Sequence, residues 1–307
     1  MTRARRRIAS LGLLVVLCLA ASSVLAGGTL AAPPVDETPL GANDWTCTPG
    51  TQHPRPVVLV HGTWADMAKT WNTMAPALKE EGYCVFALNY GSKKPGSGQN
   101  LLDMVGGDTI EDSASTLAQF VDRVRNSTGA GQVDLIGHSQ GALVAREYLK
   151  SGGGSDPGAP SNNTVHTLVS LAGTNQGTSF NLNQQLGAIA EMLGIPVIGL
   201  AAATVGPSYV EQMTGSPFLK QLNAGPDTLP GIKYVAVGTK DDLMVTPPEH
   251  SFLEPAQGSD IQNIWIQDGC ESAHVDHMQV TSHPRAIWLT KKALDPAYQE
   301  SSPGRCT

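Results

Sequence analysis

The stretch G-H-S-Q-G at 137–141 carries the clearest chemical signal in this 307-residue chain: Ser139, with a glycine two residues away on either side. An apolar run from Val133 to Ile136 precedes it, and a helix-like segment over 142–150 follows. A serine between strand and helix stands on a very tight turn, and the glycines let neighbouring backbone pass without side-chain collision. Such a turn lifts the hydroxyl from the sheet edge at the start of a helix, which is the geometry of a nucleophile elbow.

A serine hydroxyl is a poor nucleophile near neutral pH. It needs a base to take its proton, and the base needs an acid to hold it. On a strand-and-helix architecture these partners follow the elbow in the order acid, then histidine, at the ends of later strands. The apolar run ending at Gly238 leads into T-K-D-D-L-M-V, where Asp241 and Asp242 compete. The D-x-x-V pattern favours Asp242, because Val245 can pack back on the sheet while the carboxylate faces the site; Asp241 is then a solvated loop charge. The last predicted strand leads into D-G-C-E-S-A-H-V-D-H-M-Q-V, with His274 and His277 as candidate bases and His283 further on. His277 precedes an apolar run that can dock its loop, so it is the preferred base. His250 lies too close to Asp242 in sequence for the usual arrangement. A tetrahedral intermediate also needs two backbone N–H donors. The expected donors are Gln140, directly after the serine, and Thr63 in the loop V-H-G-T-W after the first buried strand. His61 and His138 are read as packing residues.

The elements that must position these groups alternate. Strands are predicted over 56–60, 84–88, 133–136, 165–171, 233–237 and 263–266, and helices over 71–81, 142–150 and 285–294. Ile110, Ala114, Leu117, Val121 and Val124 form the buried stripe of a further helix, with Asp108 and Glu111 as its capping pattern. Continuous apolar strands alternating with helices imply an α/β fold, a mostly parallel sheet of about six strands covered on both faces. The segment 182–223 breaks the alternation and is expected to be a small cap or lid insertion. Its charge-free part, 193–206, is proposed as the lid or a wall of an acyl groove, with a buried cap helix that has no gating role as the alternative.

The N-terminal segment has Arg3, Arg5, Arg6 and Arg7, then a short apolar core over 11–20 and small residues up to Ala26. This reads as a secretory signal peptide over 1–26, too short to span a membrane, followed by a flexible leader over 27–45 and one catalytic domain over 46–307. Without the signal segment the charged residues number 16 basic against 27 acidic, a balance of −11, which argues against nucleic-acid binding. Four cysteines remain: Cys47, Cys84, Cys270 and Cys306. In an oxidising compartment three pairings are open. Cys47 with Cys84 and Cys270 with Cys306 are favoured because each pair would tie a terminal segment to the body.

Five separated blocks, R-P-V-V-L-V-H-G-T-W, G-Y-C-V-F-A-L-N-Y-G, V-D-L-I-G-H-S-Q-G-A-L-V-A-R-E-Y-L, G-T-K-D-D-L-M-V and D-H-M-Q-V-T-S-H-P, resemble the secreted bacterial lipases of the alpha/beta-hydrolase superfamily, in particular the class 2 lipase group. The likeness runs from about Trp45 to Ala297. It implies the alpha/beta-hydrolase fold, with Ser139 as nucleophile, Asp242 as acid, His277 as base, and Thr63 and Gln140 as oxyanion donors. It further implies hydrolysis of carboxylic esters, often acylglycerols, without cofactor or metal. Ala142 departs from the second glycine common after this elbow. The expected partners are a lipid or other ester and a transient lipid–water interface, and a monomer is expected. Three alternatives stand: an acyltransferase using the same triad, a short-chain or polyester hydrolase, and a binding protein that keeps only the fold. A zinc hydrolase is disfavoured because S-A-H-V-D-H at 272–277 has Ser272 where the H-x-H-x-D-H pattern needs its first histidine. A neutral histidine base implies activity falling below about pH 6.

Overall fold

The computed structural model describes residues 38–91, 104–192, 196–256, 258–299 and 306. The expected signal peptide over 1–26, and the leader as far as residue 37, lie outside the described residues. Within the described chain, strands β1 (Val57–Val60), β2 (Val85–Leu88), β3 (Val133–His138), β4 (Val165–Leu171), β5 (Lys233–Gly238) and β6 (Asp260–Trp265) form one sheet in the order β2-β1-β3-β4-β5-β6. Every neighbouring pair is parallel.

Alternation along the strands feeds two cores. Val58, Val60, Phe86 and Leu135 point to one face, while Val57, Leu59, Val85 and Ile136 point to the other. The first face is covered by α3 (Ile110–Thr128), through Ile110, Leu117, Val121 and Val124, and by α4 (Gln140–Ser151). The second is covered by α1 (Met67–Trp71), α2 (Met74–Glu80) and α9 (Pro284–Leu294), through Trp71, Met74, Leu78 and Leu289. Both faces being buried explains why the central strands are continuous apolar runs.

Three local expectations are corrected. The single helix over 71–81 is two, α1 and α2, with Asn72 and Thr73 capping the break. The cap of α3 is Thr109, whose hydroxyl accepts the Asp112 N–H, in place of Asp108. β6 begins at Asp260, three residues before the predicted start, because this edge strand exposes much of its length and carries polar residues there.

The cysteines pair as Cys47–Cys84 and Cys270–Cys306. Residues 38–45, read from the sequence as the end of a flexible leader, lie against the edge strand: Ala42 bridges Val85, the Asn43 amide exchanges hydrogen bonds with the Ala87 backbone, and Trp45 packs on Phe86 and Phe120. The insertion folds as α5 (Asn183–Met192), α6 (Val197–Val205), α7 (Pro207–Glu211) and α8 (Pro217–Leu222). Among the described residues no helix is long and apolar enough to cross a membrane.

Candidate active site

In a parallel sheet all strands end on one edge, and ligands bind outside those carboxyl ends. Ser139 follows β3 directly with φ +54°, in the left-handed region that a non-glycine residue enters at a cost. The surroundings hold it there. Its N–H donates to the Leu171 carbonyl at 3.0 Å. A Cβ on Gly141 would stand 2.1 Å from the Val60 carbonyl oxygen, and one on Gly137 would stand 2.6 Å from the Gly141 oxygen. Both glycines are therefore required by backbone approach. Gly62, in the loop after β1, lies so close that a Cβ there would be 3.0 Å from the Ser139 Cβ.

Ser139 and His277 line the same cavity, of about 350 Å³. His277 Nδ1–H donates to Asp242 Oδ2 at 2.8 Å, in a buried pair. The other carboxylate oxygen, Oδ1, accepts the backbone N–H groups of Met244 and Val245, each at 2.8 Å. Val245 is fully buried, so the apolar residue of the D-x-x-V pattern anchors the turn that aims the carboxylate. With Nδ1 donating, Nε2 of His277 is left as the basic nitrogen.

The competing residues are elsewhere. Asp241 and His274 pair with each other at 3.2 Å on the surface, where His274 is 89% exposed. His250 bonds the Gly177 carbonyl, and His283 caps α9 by accepting the Arg285 N–H. His61 is stacked on Tyr90, and burial pushes its pKa down to about 4. His138 is likewise buried, with its pKa pushed down to about 3 by burial and by the neighbouring His277. Its Nε2 faces the His277 carbonyl oxygen at 2.9 Å. Among the described residues no group of three or more His, Cys, Asp or Glu side chains could hold a metal ion.

Thr63 lines the cavity, and its hydroxyl donates to Oε1 of the fully buried Gln140 at 2.6 Å. The walls are largely apolar. Tyr209 of α7 is stacked between Trp64 at 5.3 Å and Phe180 at 4.4 Å, and Leu243, Met244 and Met278 complete the rim. No local pattern in the sequence marks Phe180 or Tyr209, because their role comes from stacking across segments far apart in the chain. From the insertion, Asn183 and Tyr209 line the cavity; none of the described residues of the proposed lid, 193–206, does so. The far end of that segment is pinned: the Val205 carbonyl accepts the Trp64 indole N–H at 3.0 Å, and Gly206 lies flush against Gly107.

Comparison with known proteins places the whole chain. The family described as lipase (class 2) matches residues 54–289. A triacylglycerol lipase of Burkholderia plantarii is 23% identical over 262 residues, covering 75% of this chain and 67% of that protein. Another, of Pseudarthrobacter phenanthrenivorans, is 23% identical over 211 residues, covering 59% of this chain and 61% of its own length. Among solved structures, Aspergillus fumigatus lipase B superposes with a TM-score of 0.60 at 18% identity, covering 87% of this chain and 56% of that one. The mature form of Bacillus licheniformis lipase BlEst2 superposes at 0.51 with 15% identity, covering 85% and 95%. At such identities these two likenesses concern the fold. The family match spans most of the sequence, and on that ground the chain belongs to the class 2 lipases, carboxylic ester hydrolases of the alpha/beta-hydrolase superfamily.

Proposed function

We propose that this chain is an exported enzyme that hydrolyses lipid esters through an acyl-enzyme intermediate on Ser139. The observation that carries the reading is the shared cavity: Ser139, on a strained turn, and His277, held by a buried carboxylate, open into one apolar space. Ser139 Oγ attacks the ester carbonyl while His277 Nε2 takes its proton, and Asp242 keeps the ring in the required tautomer and favours its cation. The backbone N–H groups of Thr63 and Gln140 receive the oxyanion. His277 then protonates the leaving alcohol, and water repeats the sequence to release the acid.

The lining supports an acyl chain as the bound group, since its aromatic stack and methionine rim offer few polar partners. Leu243 is 69% exposed and Met278 55%, apolar side chains at the mouth suited to transient contact with a lipid–water interface. Export is favoured by the two disulfides, which persist in oxidising compartments. The test is a chain-length series of p-nitrophenyl esters beside an emulsified triglyceride and a polyester film, with Ser139→Ala as control. Loss of all turnover in the Ser139→Ala variant is expected, with the highest rates on long-chain esters. Full activity in that variant would refute the reading. Acyl transfer to added alcohol in preference to free-acid release would replace hydrolase with acyltransferase.

A further inference from the structure

Gln212 follows α7 within the insertion and is fully buried. Its side chain reaches the side chains of both proposed oxyanion residues. The two hydrogens of Nε2 are directed at Thr63 Oγ1 at 2.9 Å and Gln140 Oε1 at 2.9 Å, and the Ser208 carbonyl at 3.1 Å shares one of them. On its other side, Oε1 accepts the Thr174 hydroxyl at 3.0 Å. Gln140 Nε2 is in turn bonded to the Gly106 carbonyl at 2.8 Å, the same oxygen that accepts the Ser208 hydroxyl at 2.7 Å.

Counting hydrogens defines what this network does. The Thr63 hydroxyl has one proton, directed at Gln140 Oε1, so its lone pairs must take the Gln212 amide. Thr63 can then serve an oxyanion only through its backbone N–H. That N–H and the N–H of Gln140 come from two separate loops, after β1 and after β3, and the link between their side chains is braced from above by Gln212. Its backbone is fixed as well, because its carbonyl accepts the Thr178 N–H at 2.9 Å.

We infer that Gln212 is a positioning residue for the oxyanion pair, through which the insertion sets the spacing of the Thr63 and Gln140 N–H groups. The inference rests on the roles proposed above for Ser139, Thr63 and Gln140. Preorganised donors act where charge develops, in the transition state, so loosening them lowers kcat and leaves substrate affinity nearly unchanged. A residue that merely supported the fold would move thermal stability and KM as well.

The test compares kcat and KM on a soluble p-nitrophenyl ester for wild type, Gln212→Leu, Thr63→Val and the double variant, with Ser139→Ala as control. Gln212→Leu is expected to lose about tenfold or more in kcat with KM within about twofold. That loss is expected to shrink to less than about threefold in the Thr63→Val background, because the two side chains act through one link. Wild-type kcat in Gln212→Leu, or the same loss in both backgrounds, overturns the inference. Should Gln212→Leu fail to fold, Gln212→Glu replaces it: a protonated carboxyl can donate where a carboxylate cannot, so its activity relative to wild type should rise as pH falls from 9 to 6, and a flat ratio overturns the inference. An active Ser139→Ala would instead refute the underlying mechanism, so the two failures are distinguishable.

Discussion

His138 Nε2 donates to the backbone carbonyl of His277 at 2.9 Å, tying the residue before the proposed nucleophile to the residue proposed as its base. The two rings lie 4.9 Å apart, and burial keeps His138 neutral, its pKa pushed down to about 3. A neutral ring bonded to a carbonyl must carry its proton on Nε2, so the tautomer follows from the contact. Replacing the donor leaves a carbonyl unpaired and the base free to drift. His138→Phe, which keeps a planar ring, is expected to lower kcat about tenfold to a hundredfold, since small misplacements of a catalytic group have effects of that size. Steady-state kinetics beside a thermal melt checks this; unchanged kcat in a folded variant would show that the tether is idle.

Two neighbouring Asp–His pairs make an internal control. Asp242 and His277 are buried at 2.8 Å, whereas Asp241 and His274 meet at 3.2 Å in solvent. Asp242→Asn is expected to reduce kcat by about 10⁴, the loss typical when the orienting carboxylate no longer selects the tautomer. Asp241→Asn and His274→Ala are expected to stay within about twofold of wild type, because exposed ion pairs contribute little. Equal losses in the two pairs would reverse the assignment.

Much of the fold is legible in the sequence. The strands announce themselves because a parallel sheet buried on both faces needs uninterrupted apolar runs. The elbow and Asp242 are legible because each follows closely on such a run, and His277 because an apolar run after it can dock its loop. The five-residue helix α1 was not, being too short to show a period. Gln212, Tyr209 and Phe180 were not, because each acts through contacts with segments distant in sequence. The charge-free stretch 193–206 pointed to the insertion, from which, among the described residues, Asn183 and Tyr209 on either side of it line the cavity.

The elbow glycines give a stability prediction whose size follows from distance. A Cβ on Gly141 would stand 2.1 Å from one carbonyl oxygen of β1 and 2.6 Å from that of His61, both backbone atoms that cannot swing aside. Gly141→Ala must therefore push α4 away from the sheet. The expected cost is about 3 kcal/mol or more, the range of severe overpacking in a close-packed interior. Soluble yield and chemical denaturation check it. Gly131→Ala, where a Cβ meets nothing within 4 Å, is the control expected to leave stability within about 0.5 kcal/mol.

Glu211, beside Gln212, yields the pH prediction. Its carboxylate accepts the Ile110 N–H at 2.8 Å, at the N-terminus of α3, where a negative charge is welcome. Burial opposes that and wins, helped by Glu111, Asp112 and Glu147, so the pKa is pushed up from 4.5 to about 7. A raised carboxyl pKa means that the folded state holds its proton more tightly than the unfolded chain. The associated stability is fully present below about pH 4.5 and is lost as pH rises through about 7. Glu211→Gln keeps an acceptor for Ile110 and has no charge to bury. Its melting temperature relative to wild type is therefore expected to climb between pH 5 and pH 9. A pH-independent difference in melting temperature between the two proteins would mean that Glu211 is ionised throughout and that burial does not govern it.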